Sequence, residues 1–240
     1  MREKILFSWS GGKDSAMALY ELRNDPSLEV TGLLTTISEA YRRISHHGVR
    51  EELLEIQAVA IGLPLHKVYL PSAASGPCAN GPYEELMERV LTKFRERGIS
   101  AVAHGDIFLE DLRAYRERNL GRVGLRGLFP IWRRDTVSLV QEFARLGFRA
   151  VLTCVEGKLG KSFAGLPVDA QLLEDLPDWA DPCGENGEYH SFVYDGPIFR
   201  RPVEVRVGEI VERDGRFYAD LLPAGDPRRS GVGPDDIPPI

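Results

Sequence analysis

The segment Ser10–Ser15, with the sequence SGGKDS, has the residue types and spacing of a phosphate-binding turn. It follows a short apolar run and precedes a segment of helical period. Two glycines allow a tight turn and expose backbone N–H groups that no Cβ shields. These donors and the positive end of the following helix face one point, which suits a phosphate chain. The predicted contacts are the hydroxyl groups, the backbone amides and a mobile lysine charge: Ser10, Gly11, Gly12, Lys13 and Ser15.

Two better-known phosphate motifs do not fit this segment. A Walker P-loop needs Gly five residues before its Gly-Lys pair and Ser or Thr after the pair, whereas Phe7 and Asp14 hold those places. The dinucleotide fingerprint GxGxxG is also absent. A strand-to-helix turn capped by Ser10 or Asp14 is the alternative explanation of the same residues.

A second segment offers carboxylates. Glu185 and Glu188 lie three residues apart in the sequence GENGE, ahead of an alternating stretch that predicts a strand. Carboxylates beside a polyphosphate repel it unless a divalent cation intervenes, so such a pair would suit Mg²⁺ or the orientation of an amine. Glu185 and Glu188 are therefore candidate catalytic residues, and a solvated acidic turn is the alternative.

Gly105 and Asp106 follow a short buried run and precede a predicted helix. In an open parallel sheet, ligands lie beyond the carboxyl ends of the strands, where the strand order reverses. Gly105 and Asp106 are therefore expected to share a crevice with Ser10–Ser15, and Asp106 as a helix N-cap is the alternative. Thr35 and Thr36, at the predicted end of the second strand, are assigned to the nucleotide site by position alone.

The histidines and arginines have structural explanations beside functional ones. His104 and His190 each adjoin a motif, and either a general base or a structural hydrogen bond would explain them. The pair His46-His47 has no third or fourth ligand near it in the sequence, so no metal site is predicted there. The arginines of the helix after residue 109 alternate with acidic residues, which favours pairing along the helix, such as Arg113 with Glu117, over contact with phosphates.

The elements that must position these residues alternate along the first two-thirds of the chain. Short apolar runs alternate with segments of helical period, which predicts a parallel sheet covered by helices. Beyond about residue 156 the pattern changes to antiparallel strands over Val203–Leu222, with a hairpin turn at Asp214-Gly215. The fold class is α/β, a doubly wound and mostly parallel sheet with a smaller C-terminal α+β lobe. The parallel strands are predicted at 5–9, 30–36, 65–69, 99–103, 128–131 and 149–154.

The composition is that of a soluble globular protein. The 240 residues are 43% hydrophobic and 28% charged, and the net charge is −6, which argues against nucleic acid or anionic lipid as a partner. No apolar run approaches the roughly 18 residues of a membrane span, and the N-terminus lacks a signal-peptide core, so a cytoplasmic location is predicted. Cys78, Cys154 and Cys183 form no CxxC pair and are expected to be free thiols.

Two segments resemble known signatures. Ser10–Ser15 resembles the SGGxDS signature of the PP-loop ATP pyrophosphatases, and residues 181–199 resemble the EGGE(F/Y)ET-x-V-x-DGPLF block of the diphthine–ammonia ligase family. The resemblance covers residues 1 to about 222. It implies a Rossmann-like sheet of the PP-loop type, ATP and Mg²⁺ as cofactors, pyrophosphate contact by the SGGKDS segment, and Asp14 as a magnesium ligand or loop organiser.

The same resemblance implies an AMP-forming ligase. A substrate carboxylate would attack the α phosphorus of ATP, pyrophosphate would leave, and ammonia would displace AMP. The family's acceptor is diphthine on elongation factor two, which is expected here if the source is archaeal or eukaryotic; bacteria lack diphthamide and would need another acceptor. The chain departs from the block where an acceptor would be contacted, with Asn186 for Gly, His190 for Glu and Ser191 for Thr.

The change of pattern near residue 156, the composition of the C-terminal stretch and the resemblance together suggest how the chain is divided. Residues 1–155 are expected to form a PP-loop ATP-binding domain, residues 156–222 an acceptor-binding lobe that closes over the phosphate site, and residues 223–240 a flexible tail. A homo-oligomer is compatible with the sequence. Two alternatives remain: a non-catalytic sensor of adenine nucleotides, and a tRNA-modifying PP-loop enzyme, for which the catalytic cysteine pair and basic face are missing.

Overall fold

The computed structural model describes residues 2–44, 47–71 and 80–224. The N-terminal part alternates strands and helices, as its periodicity predicts, and most of the predicted elements differ from the observed ones by a few residues at the ends. The observed elements are β1 (Glu3–Ser8), α1 (Lys13–Asn24), β2 (Leu28–Ser38), β3 (Arg43–Ile44), α2 (Glu51–Ile61), β4 (Leu65–Leu70), α3 (Asn80–Glu96), β5 (Ala101–Ala103), α4 (Glu110–Arg122) and β6 (Arg126–Leu128).

The first sheet has the order of a doubly wound fold. Strands β4, β2, β1, β5 and β6 lie side by side and parallel, and β3 adds a short antiparallel pair to the end of β2. Ile5 and Phe7 pack in a core with α1 and α2, whereas Leu6 packs in a second core with α3 and α4. The predicted fold class is confirmed, and the strand order reverses between β1 and β5.

The rest of the chain builds a second, antiparallel sheet in the order β8-β7-β10-β9. The prediction that Arg149–Cys154 is the last strand of the parallel sheet is wrong, because this strand pairs antiparallel with β8 and β10. Its buried run of residues would look the same in either kind of sheet, so periodicity cannot distinguish them. The elements are α5 (Thr136–Arg145), β7 (Arg149–Glu156), α6 (Ala170–Asp175), β8 (Tyr189–Asp195), β9 (Val205–Arg213) and β10 (Arg216–Pro223).

The predicted hairpin between β9 and β10 is confirmed. Asp214 and Gly215 both have positive φ, 52° and 71°, as a two-residue hairpin turn requires. Strand β10 extends to Pro223, so the first residue of the predicted tail lies in a strand. The tail from residue 225 onward lies outside the described residues, as do His46 and Cys78.

One hydrophobic core joins the two sheets. It extends from Ile5 and Phe7 of β1 to Phe192 and Val193 of β8. Cys154 and Cys183 are buried free thiols, as predicted. In the part of the chain that the structure describes, no helix combines the length and the apolar character that crossing a membrane would require.

Candidate active site

The SGGKDS segment forms the connection from β1 to α1. Gly11 has a φ of +81°, and a Cβ there would lie 3.0 Å from Oε1 of Gln57, so glycine is needed for both conformation and space. Gly12 is the N-cap of α1 without a side-chain cap, so the alternative of a cap by Ser10 or Asp14 is not supported. The hydroxyl oxygens of Ser10 and Ser15 lie 2.9 Å apart, and the Gly12 N–H donates to Ser10 Oγ at 3.3 Å.

The second sheet holds this loop. The Lys13 N–H, in the first turn of α1, donates to Ser191 Oγ at 3.1 Å. The Val193 N–H donates to the Gly11 carbonyl at 2.9 Å. Two residues of β8 therefore fix two residues of the loop, although about 180 positions separate them in the chain.

The Lys13 side chain is buried instead of mobile. Its ammonium donates to both carboxylate oxygens of Asp14, at 2.7 and 2.9 Å, and to the Cys183 carbonyl. It also lies 5.2 Å from the centre of the Tyr189 ring. Burial lowers the pKa of Lys13, but the charges of Asp14 and its neighbours outweigh burial and hold that pKa well above its usual range. Lys13 therefore carries a fixed positive charge beside the loop.

Gly105 brings the end of β5 against this loop. A Cβ on Gly105 would lie 2.9 Å from the carbonyl carbon of Asp14 and 3.0 Å from the Ser15 nitrogen. The two predicted segments therefore share one crevice, where the strand order reverses. Asp106 does not cap a helix, since α4 begins at Glu110.

Asp106 instead binds the guanidinium of Arg116 through two contacts. Arg116 Nε lies 2.6 Å from Oδ2, and Nη2 donates to Oδ1 at 3.1 Å. On the same helix, Arg113 pairs with Glu117 at 2.9 Å, which confirms the simpler interpretation of that arginine. Arg116 is thus the arginine of this helix that reaches the crevice.

The two glutamates of the GENGE turn face different ways. Glu185 Oε1 accepts the Ile107 N–H at 2.7 Å, just beyond Asp106. Burial, followed by the charges of Asp14 and Asp106, raises the pKa of Glu185 to about 7. Glu188 is buried and accepts the Asp181 N–H at 2.8 Å. Glu185 therefore faces the crevice, whereas Glu188 holds the turn together.

Thr35 and Thr36 are placed differently from the prediction. Strand β2 continues to Ser38, so these residues lie inside the strand and not at its end. Thr35 is buried, and its hydroxyl has no hydrogen-bond partner among the described residues. Thr36 is half-buried on the opposite face of the strand.

The two candidate histidines have different surroundings. His104 is buried against Phe129, at 5.6 Å between ring centres, and burial holds its pKa well below the usual value. Neither ring nitrogen of His104 has a hydrogen-bond partner within the described ranges. His190 packs on His47 at 4.5 Å between ring centres. His47 lies beside the loop, since its Cε1 would be 3.2 Å from a Cβ on Gly12.

The carboxylates of the crevice are Asp14, Asp106 and Glu185. Within residues 2–44, 47–71 and 80–224, no group of three or more acidic, histidine or cysteine side chains is arranged to hold a metal ion by itself. Mg²⁺ in phosphate sites commonly uses one or two carboxylates together with the phosphates and water. Burial is the main cause of the raised pKa of Glu185, and the negative charges of Asp14 and Asp106 add to it.

Comparison with known families agrees with this arrangement. The family model described as diphthamide synthase N-terminal domain matches residues 1–127, and the diphthamide synthase C-terminal domain matches residues 135–220. The chain belongs to the diphthamide synthase family. The match covers both the loop after β1 and the turn before β8, so the crevice is formed by the two matched regions together.

Curated members of the diphthamide synthase family align with most of this chain. Diphthine–ammonia ligase of Bos taurus is 27% identical over 237 residues, covering 88% of this chain and 86% of that protein. The Danio rerio protein of the same name is 26% identical over 237 residues, with 88% and 90% covered. The Schizosaccharomyces pombe protein is longer: it is 28% identical over 230 residues, which cover 87% of this chain and 37% of that relative.

Three residues that bond to the site in this diphthamide synthase family member were not predicted. Gln57 of α2, Ser191 of β8 and Asp181 of the turn all bond to the loop or to the acidic turn. Gln57 had a detectable signal, because this polar residue interrupts the apolar face of a helix three positions after Leu54. The partners of Ser191 lie far from it in the chain, so no pattern in the neighbouring sequence indicates its role.

Proposed function

We propose that this chain is an AMP-forming ligase that uses ATP to join ammonia to a carboxylate. Its membership of the diphthamide synthase family and the names of its relatives support this reaction. The observation that carries the proposal is the meeting of three segments at one edge of the sheet: the loop Ser10–Ser15, Gly105 and Glu185. Such a reaction needs a phosphate-binding turn, a crevice where the strand order reverses and an acidic group that faces this crevice.

The chemistry follows the placement of these groups. An oxygen of the substrate carboxylate attacks the α phosphorus, the bond to the bridging oxygen breaks, and pyrophosphate leaves toward the loop. The backbone N–H groups of the loop and the Lys13 charge offset the negative charge of the leaving group. Ammonia then attacks the acyl carbon of the mixed anhydride, and AMP leaves. Glu185 has a pKa of about 7 and can therefore accept, near neutral pH, the proton that the attacking nitrogen loses.

The residues of the crevice fit a magnesium ion bound together with the phosphates. Asp14 would hold it, since its carboxylate lies at the loop and is about one-third exposed, and Glu185 lies close enough for the two charges to interact. When bound, Mg²⁺ would spread the charge of the polyphosphate. Lys13 meanwhile keeps the Asp14 carboxylate oriented by its two short contacts.

Diphthine on elongation factor two is the acceptor that we propose to test first, because the relatives are named for it. Three residues near the crevice differ from the family block: Asn186, His190 and Ser191. Ser191 binds the loop, and His190 packs on His47 beside Gly12. His190 is the one of these three residues that differs in charge from the block, which has Glu there, so a change of acceptor is expected to involve His190 first.

The test is product analysis with ATP, Mg²⁺, ammonium and elongation factor two carrying diphthine. AMP and pyrophosphate in equal amounts, together with amidated diphthine, are expected. Asp14→Ala should abolish nucleotide binding or turnover, whereas Glu29→Ala, at an exposed position of β2, should not change it. ADP as the product would exclude the proposed reaction, and full turnover by Asp14→Ala would exclude the role proposed for Asp14. AMP formation with other carboxylates alone would keep the reaction and change the acceptor.

A further inference from the structure

We infer that Gln57, in the middle of α2, is a positioning residue for the phosphate loop, an inference that rests on the proposed function. Its side chain is completely buried between the loop and β8. A buried carboxamide must satisfy two N–H donors and one carbonyl acceptor, and an unsatisfied group would cost about 1–3 kcal/mol. The partners of Gln57 therefore decide what this residue does.

All the polar groups of Gln57 are used at the loop. Oε1 accepts the indole N–H of Trp9 at 2.7 Å, which fixes the orientation of the carboxamide because indole can only donate. Nε2 donates to the Gly11 carbonyl at 3.1 Å and to the Val193 carbonyl at 2.6 Å. One side chain thus ties the end of β1, the loop and β8 together.

The bond to Gly11 also fixes the orientation of the Gly12 N–H, which the proposed function assigns to the phosphate site. In a trans peptide the C=O and the following N–H point in opposite directions. The Gly11 carbonyl is held toward the protein interior by Gln57 and by the Val193 N–H. The Gly12 N–H is consequently turned the other way, to the side of the loop where the hydroxyl of Ser10 lies. Gln57 therefore sets the direction of a loop amide without touching the nucleotide.

No other residue type reproduces these three bonds. A glutamate is nearly the same size, but its ionised carboxylate would face two carbonyl oxygens and could donate to neither. Once protonated it could donate to one carbonyl and still accept from Trp9. Burial raises the pKa of such a carboxyl, so this form becomes accessible in mildly acidic solution. Methionine fills similar space and has no N–H group.

The experiment measures the affinity of a non-hydrolysable ATP analogue with Mg²⁺ by calorimetry, on the full chain. We expect Gln57→Glu to weaken binding about tenfold at about pH 8 and to recover most of it at about pH 6, relative to the unsubstituted chain at each pH. Gln57→Met should weaken binding to a similar extent at both pH values. If Gln57 only stabilised the fold, the affinity of Gln57→Glu for the analogue would not depend on whether the new carboxyl group is protonated.

The matched controls are Gln141→Glu and Gln141→Met, at an exposed position of α5, and they should bind the analogue normally. Trp9→Phe is a milder variant, because it frees Oε1 and leaves both donors of Gln57 in place; about a threefold loss is expected. The inference is overturned if the folded variants bind as tightly as the unsubstituted chain, or if the loss in Gln57→Glu is the same at both pH values. Absence of binding by the unsubstituted chain would overturn this inference and the proposed function together, whereas normal binding by the variants would leave the proposed function standing.

Discussion

The loop Ser10–Ser15 and the acidic turn of residues 181–188 meet in the same crevice, but the bonds that hold them differ in range. The loop is held from a distance: Ser191 accepts the Lys13 N–H, and the Cys183 carbonyl accepts from the Lys13 ammonium, across about 170 positions or more. The turn is held mostly by bonds between its own residues, and Lys13, Ile107 and Arg216 also donate to it. One oxygen of Asp181 accepts the N–H groups of Cys183 and Glu185, both at 3.0 Å.

This difference shows that a motif can be recognised from its own sequence although distant residues stabilise its geometry. The loop has a sequence that identifies it, yet its geometry depends on α2, β5 and β8. The turn keeps its shape through bonds that span two to seven positions. Changes at distant residues should therefore affect the loop more than the turn, whose own residues make most of the bonds to Asp181 and Glu188.

Gly105→Ala should have the largest effect on the loop, although it lies on another strand. The added Cβ would lie within 3.0 Å of backbone atoms of Asp14 and Ser15, which cannot move without shifting the start of α1. We expect a loss of ATP affinity of about a hundredfold and a loss of stability of about 2 kcal/mol. Calorimetry and thermal unfolding measure the two effects.

The control for this prediction is Gly121→Ala in α4, where no heavy atom lies within 4 Å of the added Cβ. It should leave ATP affinity unchanged and raise stability by up to about 1 kcal/mol, since alanine is the better helix former. Normal ATP affinity in Gly105→Ala would mean that the loop does not depend on β5.

Glu185 makes stability depend on pH. Its folded pKa of about 7 lies above the ordinary value of 4.5, so the folded chain binds the proton more tightly. The stabilising contribution of the protonated form is complete below about pH 4.5 and is lost as the pH rises to about 7, by at most about 3 kcal/mol. Glu185→Gln should flatten this part of the stability curve, measured by urea unfolding from about pH 5 to pH 8. An unchanged slope would place the titration on another group.

Asp181→Ala should disturb the turn and spare the loop. It removes the acceptor of two backbone N–H groups, which should cost about 2 kcal/mol of stability and leave ATP affinity within about twofold. Transfer to ammonia should fall, since Glu185 loses one of the bonds that hold its backbone. Asp178→Ala, at an exposed position three residues earlier, is the control. Loss of ATP binding in Asp181→Ala would contradict the independence of the two regions.

Glu188→Gln should have the smallest effect on the fold. The glutamine carbonyl can still accept the Asp181 N–H, so we expect a change in stability of less than about 1 kcal/mol and normal ATP affinity. If Glu188 also acts in catalysis, as the sequence predicts, amide formation should fall while AMP formation persists. Normal rates of both would leave Glu188 with its role in the turn alone.

The sequence predicted the parts of this molecule that are encoded locally. The alternation of strands and helices and the turn at Asp214-Gly215 follow from short-range rules, and the structure has them. The common crevice of Ser10–Ser15 and Gly105 followed from the topology of a parallel sheet. Their functional roles, with those of Glu185 and Glu188, stay predictions.

The sequence did not predict what depends on contacts between distant segments. Arg149–Cys154 was assigned to the wrong sheet because a buried strand has the same pattern in both. Lys13 was expected to be mobile, since its partner Cys183 lies in the other half of the chain. Thr35 and Thr36 were expected at a strand end because the continuation of β2 to Ser38 depends on pairing with β3 and β4.

The hydrophobic core shared by the two sheets limits how substrates can enter. Separation of the halves as rigid bodies would expose part of the core that extends from β1 to β8. Cutting the gene between the halves would expose apolar surface on both products, which would be expected to aggregate when made alone. We therefore expect substrates to enter the crevice through small rearrangements of side chains and connecting segments. These segments, instead of a hinge, would then set the rate of turnover.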